Sequence, residues 1–383
     1  MYTPSLSHGQ NNPNLVVAVL LCLLGICVNC LIIGPGALTI ASHGQNDFRL
    51  FYTGGKLAGS EGLYNASRVL AAQREAFGES SEKLMPVRLP FYYALLSPLA
   101  RLPYKLALSL WTGSNILAIV FFVLLSPGED RIRLAIACCW SLPIVFSLAM
   151  GQDLGFLLLL LVASLRALRA QMSWLAGLVL SLCLIKFHLF LLLPLLFLGR
   201  REWRLAAGFC SGTVFLLIVS FATLRNWPQS YFALIMDPAV SPGLGLMPNL
   251  HGLTTYLPGR EFMEILLSLA VIVLVWRVVC AANFELAWVA TLLGSLLLTR
   301  HVYLQDCAIL VGPLVTIFRS TANLLARNCA FVLLLPLSYV FIFIQRGSVP
   351  AILFLLLLGG IAWSGFRERS VRNGSSQVSE AGK

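Results

Sequence analysis

The chain has 383 residues, of which 58% are hydrophobic and 11% charged, with a formal net charge of +11 and a mean hydropathy of +0.84. Soluble domains carry roughly 25% charged residues, so this chain lacks the polar groups to coat a water-facing fold. Its repeated apolar runs near the ~20-residue membrane-crossing length make lipid the solvent. The basic residues sit in short loops between those runs, which is the positive-inside pattern and argues against nucleic acid as a partner.

The runs lie at 15–40, 104–125, 132–149, 154–169, 173–198, 203–224, 261–281, 285–299, 302–318, 329–345 and 349–366. They predict an all-α, polytopic transmembrane helical bundle of about 11–12 membrane segments. The first run exceeds the ~7–15-residue apolar core of a cleaved signal peptide and no basic residue precedes it, so it reads as a retained helix. The segments 132–149, 154–169 and 285–299 are short and would need a thin or protein-lined setting. All ten cysteines lie in or beside apolar runs, where they read as small hydrophobes.

After the first helix comes a long segment, 41–103, with helical patterning of its own. Asn65 is placed to cap a helix whose stripe of Val69, Leu70, Ala76 and Phe77 opposes Arg68, Gln73 and Arg74. That predicts a helix along the outer interface. The stretch Leu89–Leu102, with Pro90 and Pro98, reads as partly embedded. A second loop, 225–260, is rich in Pro and Gly and suits a lid over a site. The tail 367–383 is polar and Ser/Gly-rich and is expected to be a disordered cytoplasmic segment, leaving 1–366 as a single membrane domain.

Orientation follows from arginines 131, 133, 166, 169, 200, 201, 204, 277, 319 and 327, which would be cytoplasmic. Counted as one crossing, 173–198 would strand Arg200, Arg201 and Arg204 outside. A pair of short helices meeting near Lys186-Phe187-His188 restores them. It also brings Lys186 and His188 to the outer side or a protein-lined cavity, where charge is tolerable.

Three groups carry candidate chemistry. Asp47 falls just beyond the first helix, at the outer boundary and among aromatics. A carboxylate there can serve as a general base, or it is an ordinary loop aspartate that starts the next helix. Lys186, His188, Arg300 and His301, with Arg88 as a fifth, suit a phosphate, although long basic side chains also snorkel to an interface without binding anything. Asn249 and His251 lie in the second loop, where His251 is equally readable as a surface histidine. Gln152 and Asp153 form a tight turn that can be a polar cap for the helix after it. No metal-ligand spacing and no nucleotide-binding loop appears, so no metal or cofactor is expected.

These residues fall in ordered pieces. They include Asp47-Phe48 with Tyr52 and Gly54, Pro90 to Leu99 (containing Tyr92), Gly151-Gln152, Ile185 to His188, Asn249 with His251, and Arg300-His301 with Tyr303 and Asp306. In that order and spacing the chain resembles glycosyltransferase family 87, the polyprenyl-phosphate-mannose-dependent mannosyltransferases of GT-C architecture. Lys186-Phe187-His188 and Arg300-His301 depart from the Lys-Pro-His and Ser-Pro pieces of that pattern. The resemblance implies inverting transfer of a sugar, commonly mannose, from a polyprenyl-phosphate donor to a lipid or glycan acceptor. Asp47 would be the base and Lys186, His188, Arg300, His301 and Arg88 would hold the leaving phosphate. Tyr52, Tyr92, Gln152, Asn249 and His251 would line the substrate. The setting implied is a bacterial cytoplasmic membrane with the site facing the periplasm or exterior. A lipid transporter or flippase is the alternative from another class, and it would want inverted repeats and matched broken helices, of which only the Lys186 break has a candidate.

Overall fold

The computed structural model describes residues 13–43, 45–78, 84–237 and 244–381, and among them every regular element is helical. The first helix, α1 (Pro13–Ser42), bends at Gly34, whose φ of 80° lies in the left-handed region just before Pro35. The segment after it folds into α2 (Phe48–Lys56), α3 (Ala66–Phe77) and α4 (Pro90–Ala100). Then come α5 (Tyr104–Leu125), α6 (Arg131–Trp140), α7 (Leu142–Ala149) and α8 (Leu154–Arg169). Next are α9 (Ser173–Ser181), a 3₁₀ stretch Leu182–Phe190, α10 (Leu193–Arg200), α11 (Trp203–Thr223) and α12 (Trp227–Ile235). The last part comprises α13 (Leu250–Thr254), α14 (Arg260–Ala281), α15 (Phe284–Leu298), a 3₁₀ stretch Leu304–Leu310, α16 (Val311–Ser320), α17 (Leu324–Leu334), α18 (Leu337–Phe343) and α19 (Ser348–Ala381).

Among the described residues six helices are long and apolar enough to cross a membrane, and up to eight if the bent pairs α6–α7 and α17–α18 are single spans. The chain is therefore a multi-pass, all-α membrane protein, with fewer self-sufficient spans than the apolar runs imply. Burial gives the reason. Helices α5, α11 and α14 present large apolar side chains outward, Phe215 at 62% and Phe262 at 70% exposure among them. In α15, by contrast, every residue from Leu286 to Leu297 is buried. Its apolarity serves protein packing, and at about 1.5 Å per residue its length falls short of a ~30 Å hydrocarbon core. The protein-lined setting expected for 285–299 is the one observed.

The interval 173–198 runs out and back as a re-entrant pair of short helices and is not one continuous crossing. A Cβ at Gly177 would meet Leu205 O and Phe209 N, one at Gly208 would meet Trp174 O, and one at Gly212 would meet Ser181 Oγ. Ascending positions on α9 thus meet ascending positions on α11, so the two helices run parallel. Parallel helices joined this closely require a return between them, and α10 supplies it. The turnaround is at Lys186, whose φ −122°, ψ 59° breaks the helical path. Arg200 comes back to the end where α9 began and donates from Nη1 to Ala282 O at 2.8 Å. Arg169 and Glu285 pair at the same end, 3.3 Å apart.

The segment 41–103 is more than an interfacial connector. Phe48, Phe51, Tyr64, Phe91, Tyr92 and Tyr93 form a second core with Trp111 of α5 and Trp227 and Tyr231 of α12. Asn65 caps α3 by accepting from Arg68 N. The expected polar face is corrected at Gln73, which is buried and donates to Leu84 O at 2.6 Å. Gln73 sits one turn from Val69, on the face that packs. Helix α19 runs past the end of the apolar run at 366 and through Ala381. No proline interrupts that stretch, so nothing in its sequence forces the helix to stop. Residues 382–383 lie outside the described residues, as do 79–83 and 238–243 within the segments 41–103 and 225–260.

The α9–α11 contact yields a stability test. The glycines at 208 and 212 are spaced for close helix approach, and any Cβ at 208 collides with backbone. Gly208→Leu is expected to cost at least about 1–3 kcal/mol, read as a lower melting temperature in detergent with helix content unchanged. An unchanged melting temperature would refute the close parallel pairing.

Candidate active site

Asp47 stands at the start of α2, fixed through backbone. Its own N–H donates to Met150 O at 3.0 Å, and neighbouring Asn46 donates from Nδ2 to Ala149 O at 3.2 Å. The turn it meets requires glycine at 151. There φ is +66°, and a Cβ would lie 2.9 Å from both Asn46 Oδ1 and Phe48 Cβ. Trp111 Nε1 donates to Gly151 O at 2.8 Å and pins the turn from α5.

From Asp47 a polar chain runs into the bundle. Gln152 Nε2 donates to Asp47 Oδ2 at 2.7 Å. Lys186 Nζ donates to Gln152 Oε1 at 3.1 Å and to Asp306 Oδ1 at 2.6 Å. It also lies 3.5 Å from Asp153 Oδ1. Arg88 Nη2 reaches both Asp153 oxygens, at 3.3 and 3.4 Å, and its guanidinium stands 5.7 Å from the centre of the Phe51 ring. Asp306 is completed by Tyr303 N, which donates to Oδ2 at 2.9 Å. Lys186, Arg88, Asp153 and Asp306 are all buried, Asp153 at 0% exposure. Burial alone would raise the Asp153 carboxyl, but the Arg88 and Lys186 charges outweigh it and hold Asp153 below the usual carboxylate range.

The other expected residues divide. Tyr92 is buried in the chain's vicinity, its ring 5.5 Å from that of Phe51. Tyr52 is not brought to the chain; its hydroxyl donates to Leu102 O at 2.7 Å inside the aromatic core. His188 is half-buried two residues past Lys186. Arg300 is exposed and His301 half-buried on the turn after α15. Burial first, then the Arg300 and His251 charges, lower the His301 imidazole, so at neutral pH it offers a hydrogen bond rather than a charge. Asn249 is buried, accepts from Gly252 N at 2.8 Å and donates to Thr299 O at 2.6 Å. It ties the 225–260 loop to the turn that carries Arg300 and His301. His251 Nδ1 pairs with Glu264 Oε2 at 2.8 Å.

Two residues of the chain have no assigned role in the sequence reading. Asp153 reads there as a possible cap, yet it makes no capping hydrogen bond to α8 and turns to Arg88 and Lys186 instead. Asp306 had a usable signal, a carboxylate inside the apolar run 302–318, where charge persists only with a partner.

Because Asp153 balances two buried cations, Asp153→Asn is expected to destabilise the protein by about 3–5 kcal/mol. The check is thermal unfolding in detergent, with Arg88→Met and the double variant completing a cycle. Additive losses would mean that Arg88 and Asp153 do not act as a pair.

A family model described as glycosyltransferase family 87 matches residues 90–304. No curated protein and no solved structure matches the chain. The matched segment holds Gln152, Asp153 and Lys186, the re-entrant pair, and the turn with Arg300 and His301. Asp47, Arg88 and Asp306 flank it. With more than half of its length matched, the chain belongs to glycosyltransferase family 87.

Proposed function

We propose that this glycosyltransferase moves a sugar, mannose in the first instance, from a polyprenyl-phosphate donor to a hydroxyl of a lipid or glycan acceptor, with inversion. Asp47 takes the proton of the acceptor hydroxyl, whose oxygen bonds to C1 of the sugar. The bond from C1 to the phosphate oxygen breaks, and polyprenyl phosphate leaves. The observation that carries this reading is the Gln152 bridge, which sets a half-buried carboxylate next to a buried ammonium at one end of the bundle.

The residues divide the work. Lys186 Nζ donates to Gln152 and Asp306 and stands 3.5 Å from Asp153, so it supplies fixed positive charge behind the phosphate. Arg88 does the same through Asp153. Arg300, His301 and His188 meet the phosphate oxygens, because they sit on the turn and at the break that adjoin this cluster. Tyr92 and Gln152 border the sugar, and the loop bearing Asn249 and His251 covers it. Tyr52 shapes the wall through its aromatic core. The arginine-rich short loops gather at the other end of the bundle, which supports placing the site at the outer face of a bacterial cytoplasmic membrane. Nucleotide sugars are confined to the other side, so a lipid-carried donor suits an outer site.

The test uses the purified chain in lipid with polyprenyl-phosphate mannose labelled in the sugar and a total lipid extract of the host. Wild type is expected to yield a labelled product. Asp47→Asn is expected to lose about 10²-fold or more of the rate while keeping the wild-type melting temperature. Transfer that survives Asp47→Asn overturns the base assignment. Absence of transfer from every polyprenyl-linked sugar tried overturns the enzyme reading in favour of a transporter.

Arg300→Ala tests the phosphate role. Loss of one charge-assisted hydrogen bond should raise the donor KM about tenfold. An unchanged donor KM would remove Arg300 from the phosphate site.

A further inference from the structure

A separate cavity of about 460 Å³ opens at the far end of the bundle, between α8, α15 and α16. Its volume falls in the ~300–1,000 Å³ range of small-molecule sites. The depth is apolar, lined by buried Leu158, Val162, Leu292 and Ile309. The mouth carries Arg166, Arg169, Arg200 and Arg319. Arg169 is taken by Glu285, and Arg319 by Glu129 at 2.6 Å and Asp130 at 3.4 Å. Arg200 is bonded only to the Ala282 carbonyl, and Arg166 has no side-chain partner among the described residues. Glu202 also lines the mouth, without an ion pair to either arginine.

Water alone suits the depth of this space poorly, since Leu158, Val162, Leu292 and Ile309 line it and apolar cavities stay dry. A hydrocarbon alone suits it no better, because it would leave the guanidinium groups of Arg166 and Arg200 at the mouth without an anionic partner, Arg200 having one bond to the Ala282 carbonyl. An anion on a hydrocarbon chain satisfies both surfaces. We propose that this cavity binds a lipid phosphate, with the phosphate held by Arg166 and Arg200 and one chain lying along α8 and α15. It is a second site, at the opposite end of the bundle from Asp47, and it does not depend on the reaction proposed above.

Native mass spectrometry of the full chain, released from detergent after incubation with equal phosphatidylglycerol and phosphatidylcholine, reads the retained lipid directly. The wild type should hold one phosphatidylglycerol with about tenfold preference. Arg166→Ala with Arg200→Ala should lose that preference. Leu165→Trp, which fills the cavity without altering an arginine, should lose the bound lipid altogether. Arg277→Ala with Arg327→Ala, exposed arginines outside the lining, should behave as wild type. If this last pair abolishes the preference as well, or if the two cavity variants leave it intact, the site is overturned and the preference is general surface charge. A polyprenyl phosphate arm identifies the source. Its retention above phosphatidylglycerol assigns the prenyl lipid, and the reverse assigns a phospholipid. Displacement of bound lipid by millimolar inorganic phosphate alone would overturn the role of the apolar depth.

Discussion

A single buried ammonium organises the functional end of this protein. Lys186 is 2% exposed within an otherwise apolar bundle, and an unpaired charge there would be untenable. Its partners come from two separate parts of the chain, the turn between α7 and α8 and the 3₁₀ stretch after α15. To reach them the backbone must leave the helical path at Lys186 itself. The break occurs with Phe187 rather than a proline in second place. Charge pairing, not a missing N–H, therefore accounts for the turnaround, and the return of the Arg200 cluster follows from it.

The same ammonium determines how Asp47 is presented. Lys186 can only donate, so the Gln152 atom facing it is the carbonyl oxygen, and the amide nitrogen is left to face Asp47. The orientation of that side-chain amide follows from the charge behind it. Asp153 and Asp306 hold Lys186, and Arg88 holds Asp153. The polar chain is closed at its inner end and ends outward at a half-buried carboxylate. Rigid support of this kind gives a reacting group a defined position. It also explains why 41–103 builds its own aromatic core, because that core carries both Asp47 and Arg88 into register.

Much of the fold was legible in composition and charge order. Apolar runs mark the helices, and the stranded arginines at 200, 201 and 204 betray the out-and-back turn at Lys186, because loop charge is an orientation constraint with no tertiary component. What sequence alone overstates is the number of free-standing spans. A run such as 285–299 is apolar whether its neighbours are lipid or protein, and periodicity does not distinguish the two. The site was half legible. Lys186 stands out because it interrupts an apolar run, whereas Asp153 looks like any helix-starting aspartate and Asp306 follows an ordinary turn. Their roles depend on which remote cation each meets, and pairings that span 65 residues for Arg88–Asp153 and 120 for Lys186–Asp306 leave no local pattern. Tyr52 and Gln73 misled for a related reason, since a polar atom on an aromatic or amide side chain can be satisfied by one carbonyl inside a core.

The charge inventory of the cluster constrains what else the site must contain. Asp153 and Asp306 are matched one for one by Lys186 and Arg88, so the buried network offers a phosphate no uncompensated positive charge. The compensating charge has to come from the rim, and Arg300 is the exposed cation on the turn that Asn249 tethers through Thr299. His301 and His188 add hydrogen-bond donors there. Fixed cations behind and adjustable ones in front make a reasonable division for a leaving phosphate. In the proposed transfer the inner pair would hold geometry, and the outer set would release the phosphate as it leaves.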